Sequence, residues 1–137
     1  MPRRSSSSAG AVYLDRERRV EELRLAASRA AARLPALRRV ILFGSLVAGI
    51  PTPRSDADLL VVLSRSDHQE PRDRVPEVLR ALRPLPCPVD LFVLTSKELD
   101  RYAHEGHPLV REALEHGRDL LPKSQEDGGT RGRESTR

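Results

Sequence analysis

Aromatic side chains are scarce in this chain. Among 137 residues there is no Trp, and Tyr and Phe occur twice each. Tyr13 and Tyr102 are too few for a base-stacking platform. The core must instead be assembled from Leu, Val, Ala and Ile. Cysteine is also scarce. The one Cys, Cys87, excludes an intramolecular disulfide, which agrees with a reducing compartment. It has no Cys or His at metal-ligand spacing and reads as structural. Lysine is rare too: of the 24 basic residues, all but Lys97 and Lys123 are Arg. No long hydrophobic run occurs. The longest, Val40 to Ile50, is broken by Gly and Ser and is far too short to span a membrane. The opening "MPRRSSSSAG" lacks the apolar segment of a secretory signal, so a cytoplasmic location is expected. The nucleophile-elbow pattern GxSxG and the phosphate loop GxxxxGK[ST] are both missing.

What is present is a periodic alternation of apolar and charged blocks. Apolar residues make up 38% and charged residues 32%, and the blocks are regular enough for a folded domain with polar tails. Residues 1–10 are Ser-rich, and residues 123–137 contain no apolar side chain; both are expected to be disordered tails. The working domain is then 11–122. The formal net charge is +4. Arg3, Arg4 and the three Arg beyond residue 130 carry much of the excess, whereas acidic and basic side chains nearly cancel over 11–122. A basic balance permits contact with phosphates or an acidic partner, but it reads equally well as a solvated surface.

Val20, Leu23, Ala27, Ala30 and Leu34 are spaced 3, 4, 3, 4, which predicts a helix over about 12–34, ended by Pro35. "RRVILF", 38–43, predicts a strand buried on both faces. Gly44 punctuates it, and Ser45 suits the N-cap of a short helix over 46–49. "GIPTPR" is a loop. "ADLLVVLS", 57–64, predicts a second strand, and 70–83 a helix with Pro76 in its first turn. "PVDLFVLT", 88–95, predicts a third strand. Ser96 is expected to cap a further helix, and a last one runs from Pro108 to His116 with Gly117 at its C′ position. The order α-β-α-β-α-β-α-α predicts an α/β domain: a small mixed sheet flanked by helices.

The chemistry concentrates in "LFGSLVAGIPTPRSDADLLVVL", residues 42–63. Side chains alternate along a strand, so Asp56 and Asp58 point to one side, about 7 Å apart. That separation suits a pair of metal ions about 3.5–4 Å apart. Asp90 lies near the start of the third strand in an equally apolar setting, where a carboxylate is costly unless paired or metal-bound. If strands two and three are neighbours, the three Asp converge at one end of the sheet. Such hard oxygen ligands suit Mg²⁺ or Mn²⁺ together with substrate phosphates. A helix starting at Ser45 would aim backbone N–H groups at an anion, and Gly44 would let a phosphate approach. Taken singly, each residue has a plainer reading. Asp56 suits a turn, Asp58 a strand end, Asp90 a loop, and Gly44-Ser45 a helix cap. His104 and His107 in "HEGH" read as a loop between two helices rather than a zinc site.

The pattern G-S-x10-D-x-D followed by a third Asp on a later strand resembles the nucleotidyltransferase superfamily typified by DNA polymerase beta. In compactness and phrasing it is similar to the minimal nucleotidyltransferase (MNT) domains, over about residues 20–121. The resemblance implies a polymerase-beta-like fold. It also implies that Asp56, Asp58 and Asp90 are the metal-binding catalytic triad and that Gly44 and Ser45 hold a nucleoside triphosphate. The chain departs from the pattern at Ala48, where many members carry a basic residue, and Arg54 is the nearby alternative.

The resemblance therefore implies an enzyme that uses Mg²⁺ (or Mn²⁺) and ATP or another NTP to move a nucleoside monophosphate onto a hydroxyl, releasing pyrophosphate. Asp90 would serve the attacking hydroxyl. Small members of the family often pair with a HEPN-type toxin in toxin–antitoxin modules and nucleotidylate it, so a tyrosine of a small helical protein is the expected acceptor. RNA and a small molecule are further acceptors. A non-catalytic MNT-like module that only binds its partner is the rival reading.

Overall fold

The 3,4,3,4 stripe does bury one face of a helix. The computed structural model describes residues 2–44 and 57–122, with side chains from Arg16 onward. The expectations for Ser45, the 46–49 helix, Ala48, Arg54, Asp56 and the tail 123–137 lie outside the described residues. Helix α1 spans Pro2–Arg33, and Val20, Leu23, Ala26, Ala27 and Ala30 are buried along it. It begins ten residues before the predicted start. The run Ser5–Ser8 contains no helix breaker, and a single Gly10 costs only about 1 kcal/mol, so the backbone of residues 2–11 continues the helix rather than forming an irregular tail.

Strands β1 (Leu37–Phe43), β2 (Ala57–Leu63) and β3 (Val89–Thr95) fall within a residue of their predicted bounds. The predicted helix over 70–83 divides in two. A 3₁₀ turn, Pro71–Arg74, leads into α2, Val75–Leu82, with Pro76 in its first turn. Helices α3 (Ser96–His104) and α4 (Pro108–His116) follow, and a two-residue strand, β4 (Arg118–Asp119), was not predicted. Two residues carry too little periodicity to be read from sequence.

The sheet is mixed, in the order β3-β2-β1-β4. β1 pairs antiparallel with β2 and β4, and β2 pairs parallel with β3. Strands two and three are therefore neighbours. Alternation sends Val40, Leu42, Leu59, Val61 and Val93 toward α1 and α2, and Ile41, Phe43, Leu60, Val62 and Leu94 toward α3 and α4. The result is a sheet covered on both faces. That is why β1 and β2 read as unbroken apolar runs. Cys87 packs in the α1–α2 core, in keeping with a structural role.

Two polar devices lock the layers. Arg74, 2% exposed, reaches out of the 3₁₀ turn to Glu98 at 2.6 and 3.1 Å, and donates to the carbonyls of His68, Gln69 and Val93. Glu98 closes a capping box with Thr95, which is the true N-cap of α3 in place of the predicted Ser96. Thr95 is still extended, so its hydroxyl can turn back to the Glu98 N–H. On the other side of the sheet, Arg29 and Arg33 of α1 donate to the carbonyls of Ala81, Leu82, Arg83 and Pro84. They satisfy the acceptors left open where α2 ends.

Gly117 also differs from expectation. It ends α4 with φ −79° and ψ 170°, an extended conformation. Its lack of a Cβ is needed for packing: an added one would lie 2.5 Å from Ile41 Cγ2 and 3.0 Å from the Leu42 carbonyl oxygen, and would overlap the Ala113 carbonyl. Among the described residues no helix is long and apolar enough to cross a membrane.

Candidate active site

β1 ends at Phe43, and the chain turns at Gly44 with φ +82°, a left-handed conformation that favours glycine. Phe43 is the register partner of Asp58 on β2, and Asp58 is in turn the register partner of Asp90 on β3. Neighbouring strands lie about 4.8 Å apart, and register partners point to the same face. Asp58 and Asp90 thus stand side by side at the N-terminal ends of two parallel strands, both on the α3–α4 face. Asp58 is half-buried and Asp90 exposed.

Gly44 completes the enclosure. A Cβ added there would overlap the Asp58 carboxylate and lie 3.1 Å from its Cγ. The glycine is required on two independent grounds, its backbone angle and the carboxylate beside it. Of the five sequence-predicted site residues, the structure brings three together: Gly44, Asp58 and Asp90. Ser45 and Asp56 flank the described segments, directly after Gly44 and two positions before Asp58. Among the described residues there is no group of three or more His, Cys, Asp or Glu suited to a metal ion; the third acid of the predicted triad, Asp56, falls outside them.

The donors that are described fit a hard divalent cation. Two carboxylates in register repel each other unless positive charge lies between or near them, and oxygen is the donor that Mg²⁺ and Mn²⁺ take. The missing Cβ at Gly44 lets the Asp58 carboxylate lie directly against the turn.

The pair of histidines behaves as the loop reading anticipated. Gly106 takes φ +76° between α3 and α4, and His107 is the N-cap of α4, its Nδ1 accepting the Leu109 N–H at 3.2 Å. His107 nevertheless joins a cluster that the sequence did not announce. Its ring lies 5.8 Å from that of Phe92 and 5.2 Å from that of Tyr102, and Phe92 and Tyr102 are nearly parallel at 6.5 Å. Phe92 is two residues beyond Asp90 on the same strand and face. The period-2 rule could have found it; the convergence of Tyr102 and His107 needed the tertiary fold.

A small mixed sheet with helices on both faces, and acids at the ends of adjacent parallel strands, defines an α/β domain of polymerase-beta-like architecture. Comparison with known proteins agrees. The chain matches the nucleotidyltransferase domain family over residues 23–126. It belongs to that family, whose class of activity is nucleotidyl transfer. A solved structure from Sulfolobus solfataricus, of a protein assigned as a nucleotidyltransferase, has a similar fold. The TM-score is 0.58 at 23% identity, over 83% of this chain and 89% of that one. No curated protein matches the chain.

Proposed function

We propose that the protein transfers a nucleoside monophosphate from an NTP, with ATP as first candidate, to a hydroxyl on a partner protein. The observation that carries this reading is the register pairing of Asp58 with Asp90 beside a glycine whose missing Cβ lets the Asp58 carboxylate lie against the turn after β1. Asp58, Asp90 and, by its spacing in sequence, Asp56 would hold Mg²⁺ or Mn²⁺. When bound, the cation neutralises triphosphate charge and lowers the pKa of the acceptor hydroxyl.

The chain's own residues divide the remaining work. Gly44, at the left-handed turn after β1, and Ser45 after it hold the outgoing phosphates at the β1 end of the site. Asp90, one strand beyond Asp58, serves the attacking hydroxyl. The near-neutral charge of residues 11–122 favours a protein acceptor, since an RNA backbone would meet the acids without a compensating basic surface. The MNT resemblance makes a tyrosine of a HEPN-type helical toxin the first partner to try, with this chain as the antitoxin of the pair.

The test is incubation with α-labelled ATP, Mg²⁺ and the product of the adjacent gene, in parallel with total RNA. Label on the protein supports the proposal. Label on RNA alone, or tight partner binding without any label, overturns it.

A further inference from the structure

β3 is the last strand of the sheet, and its outer edge has a polar pattern that can be read residue by residue. The N–H and C=O of one strand residue point to the same side, and that side alternates along the strand. The Val93 carbonyl accepts Arg74 Nη1 at 3.1 Å, and Arg74 lies outside the sheet, so Val93 turns its polar groups away from β2. By alternation Leu91 and Val89 do the same. Among the described residues nothing pairs with the outward N–H and C=O of these two. Both cores also run out at this edge. Val75, Leu85, Val89 and Leu91 are only half-buried on the α1–α2 face, and Phe92 is half-buried on the other. Residues 91–93 line a cavity of about 400 Å³ opposite Pro71 and Val75. Exposed edges are commonly blunted by Lys, Pro or a bulge, and β3 has none of these over its seven residues.

An open backbone edge flanked by apolar side chains is the complement of one extended strand. We infer that the outer edge of β3 is a docking site for an extended segment of a partner protein, which adds one strand antiparallel to β3 at Val89–Leu91. The site uses neither metal nor nucleotide, so it does not depend on the chemistry proposed above. Its two open residues flank Asp90, and a docked segment therefore runs past the acid end of the sheet.

The edge sets the chemistry of its occupant. Residues paired with Val89 and Leu91 send their side chains to the α1–α2 face, where they meet half-covered apolar groups, so they are apolar and strand-favouring. The residue between them stands opposite Asp90, which is exposed. A basic side chain complements it there, and an acidic one is repelled. The reach is short, about three to five residues, because the Val93 carbonyl is already taken. A second copy of this chain fits poorly. Twofold pairing centred on Leu91 sets Val89 opposite Val93, whose acceptor is occupied; pairing centred on Asp90 sets two exposed carboxylates against each other. Residues 123–137 of the same chain have no apolar side chain to cover the flanks.

The test titrates the full-length, isotope-labelled protein with the peptide acetyl-Thr-Val-Lys-Val-Thr-amide and follows backbone amides by NMR. The Val89 and Leu91 amides should shift, and their hydrogen exchange should slow by about tenfold or more at saturation. The same peptide N-methylated at both valines keeps its side chains but loses two strand donors, and it should not bind. Replacing its lysine by glutamate should weaken binding roughly fivefold. Unshifted Val89 and Leu91 amides, shifts confined to another face, or equal binding of the N-methylated peptide would each overturn the docking site. So would a dimer in sedimentation without peptide whose Leu91 amide is already protected, which would assign the edge to a second copy. Protection of that amide in the free monomer that disappears on deletion of residues 123–137 would assign the edge to the chain's own tail, and would equally overturn the proposal.

Discussion

Gly44 and Asp58 sit so close that no side chain can be placed on the first without displacing the carboxylate of the second. The contact is made across an antiparallel pair, one position beyond the register partners Phe43 and Asp58. The turn after β1 and the acid end of β2 are thereby joined at one point.

Gly44→Ala should damage the site more than the fold. The left-handed backbone alone costs about 1–2 kcal/mol for an alanine, a modest share of a domain's stability. The overlap with the Asp58 carboxylate falls on the site itself. Thermal unfolding should shift by a few degrees, while ATP–Mn²⁺ affinity measured by calorimetry falls severely. Wild-type affinity in Gly44→Ala would mean that Asp58 does not meet the nucleotide–metal complex.

The two acids should separate by role. Asp58→Asn should weaken ATP–Mn²⁺ binding, because an amide cannot neutralise a divalent cation as a carboxylate does. Asp90→Asn should retain most of that binding and lose transfer of label to the acceptor. Equal loss of binding in both variants would show that Asp90 is not confined to the acceptor side.

The strands were legible because both faces of the sheet are covered: "RRVILF" and "DLLVVL" are continuous apolar runs with polar residues only near their ends. The acids stood out for the same reason, as charges set into runs otherwise meant for burial. Features that depend on tertiary contact were less legible. Thr95 displaced Ser96 as the cap because Glu98, held by Arg74, was already turned toward it. Gly117 looked like a left-handed helix terminator but serves the close passage of α4 over β1. β4 exists only because Arg118 and Asp119 are brought to Leu42 and Ile41, which no local pattern encodes. The ring cluster was invisible for a related reason: its members come from β3, α3 and the turn before α4.

Gly117→Ala should destabilise without touching the chemistry. The added methyl meets Ile41 Cγ2 and two carbonyl oxygens, all in a packed part of the α4–β1 contact, and overpacking of this kind costs about 1–3 kcal/mol. Denaturant unfolding should register the loss, with ATP–Mn²⁺ affinity unchanged at temperatures where the variant is folded. No loss of stability would indicate that α4 can lift from β1 freely.

Arg74 and Glu98 supply the clearest pH dependence. The Arg74 guanidinium hydrogen-bonded to Glu98 holds that carboxyl below its ordinary value of 4.5, against the opposing effect of burial. A carboxyl with a depressed folded-state pKa contributes stability that is complete above the unfolded value and is lost as pH falls through the folded one. The fold should therefore weaken below about pH 4.5 partly through this pair. Glu98→Gln should flatten that segment of the stability–pH curve. Arg74→Met should be far more severe at neutral pH, about 3–5 kcal/mol. It leaves a carboxylate without its partner and frees the His68, Gln69 and Val93 carbonyls from their donor. The double variant Arg74→Met/Glu98→Gln should recover part of the loss, because no unpaired charge remains. Urea unfolding of the four proteins at pH 7 and at pH 4 measures the coupling directly, and additive losses at both pH values would show that the two side chains act independently.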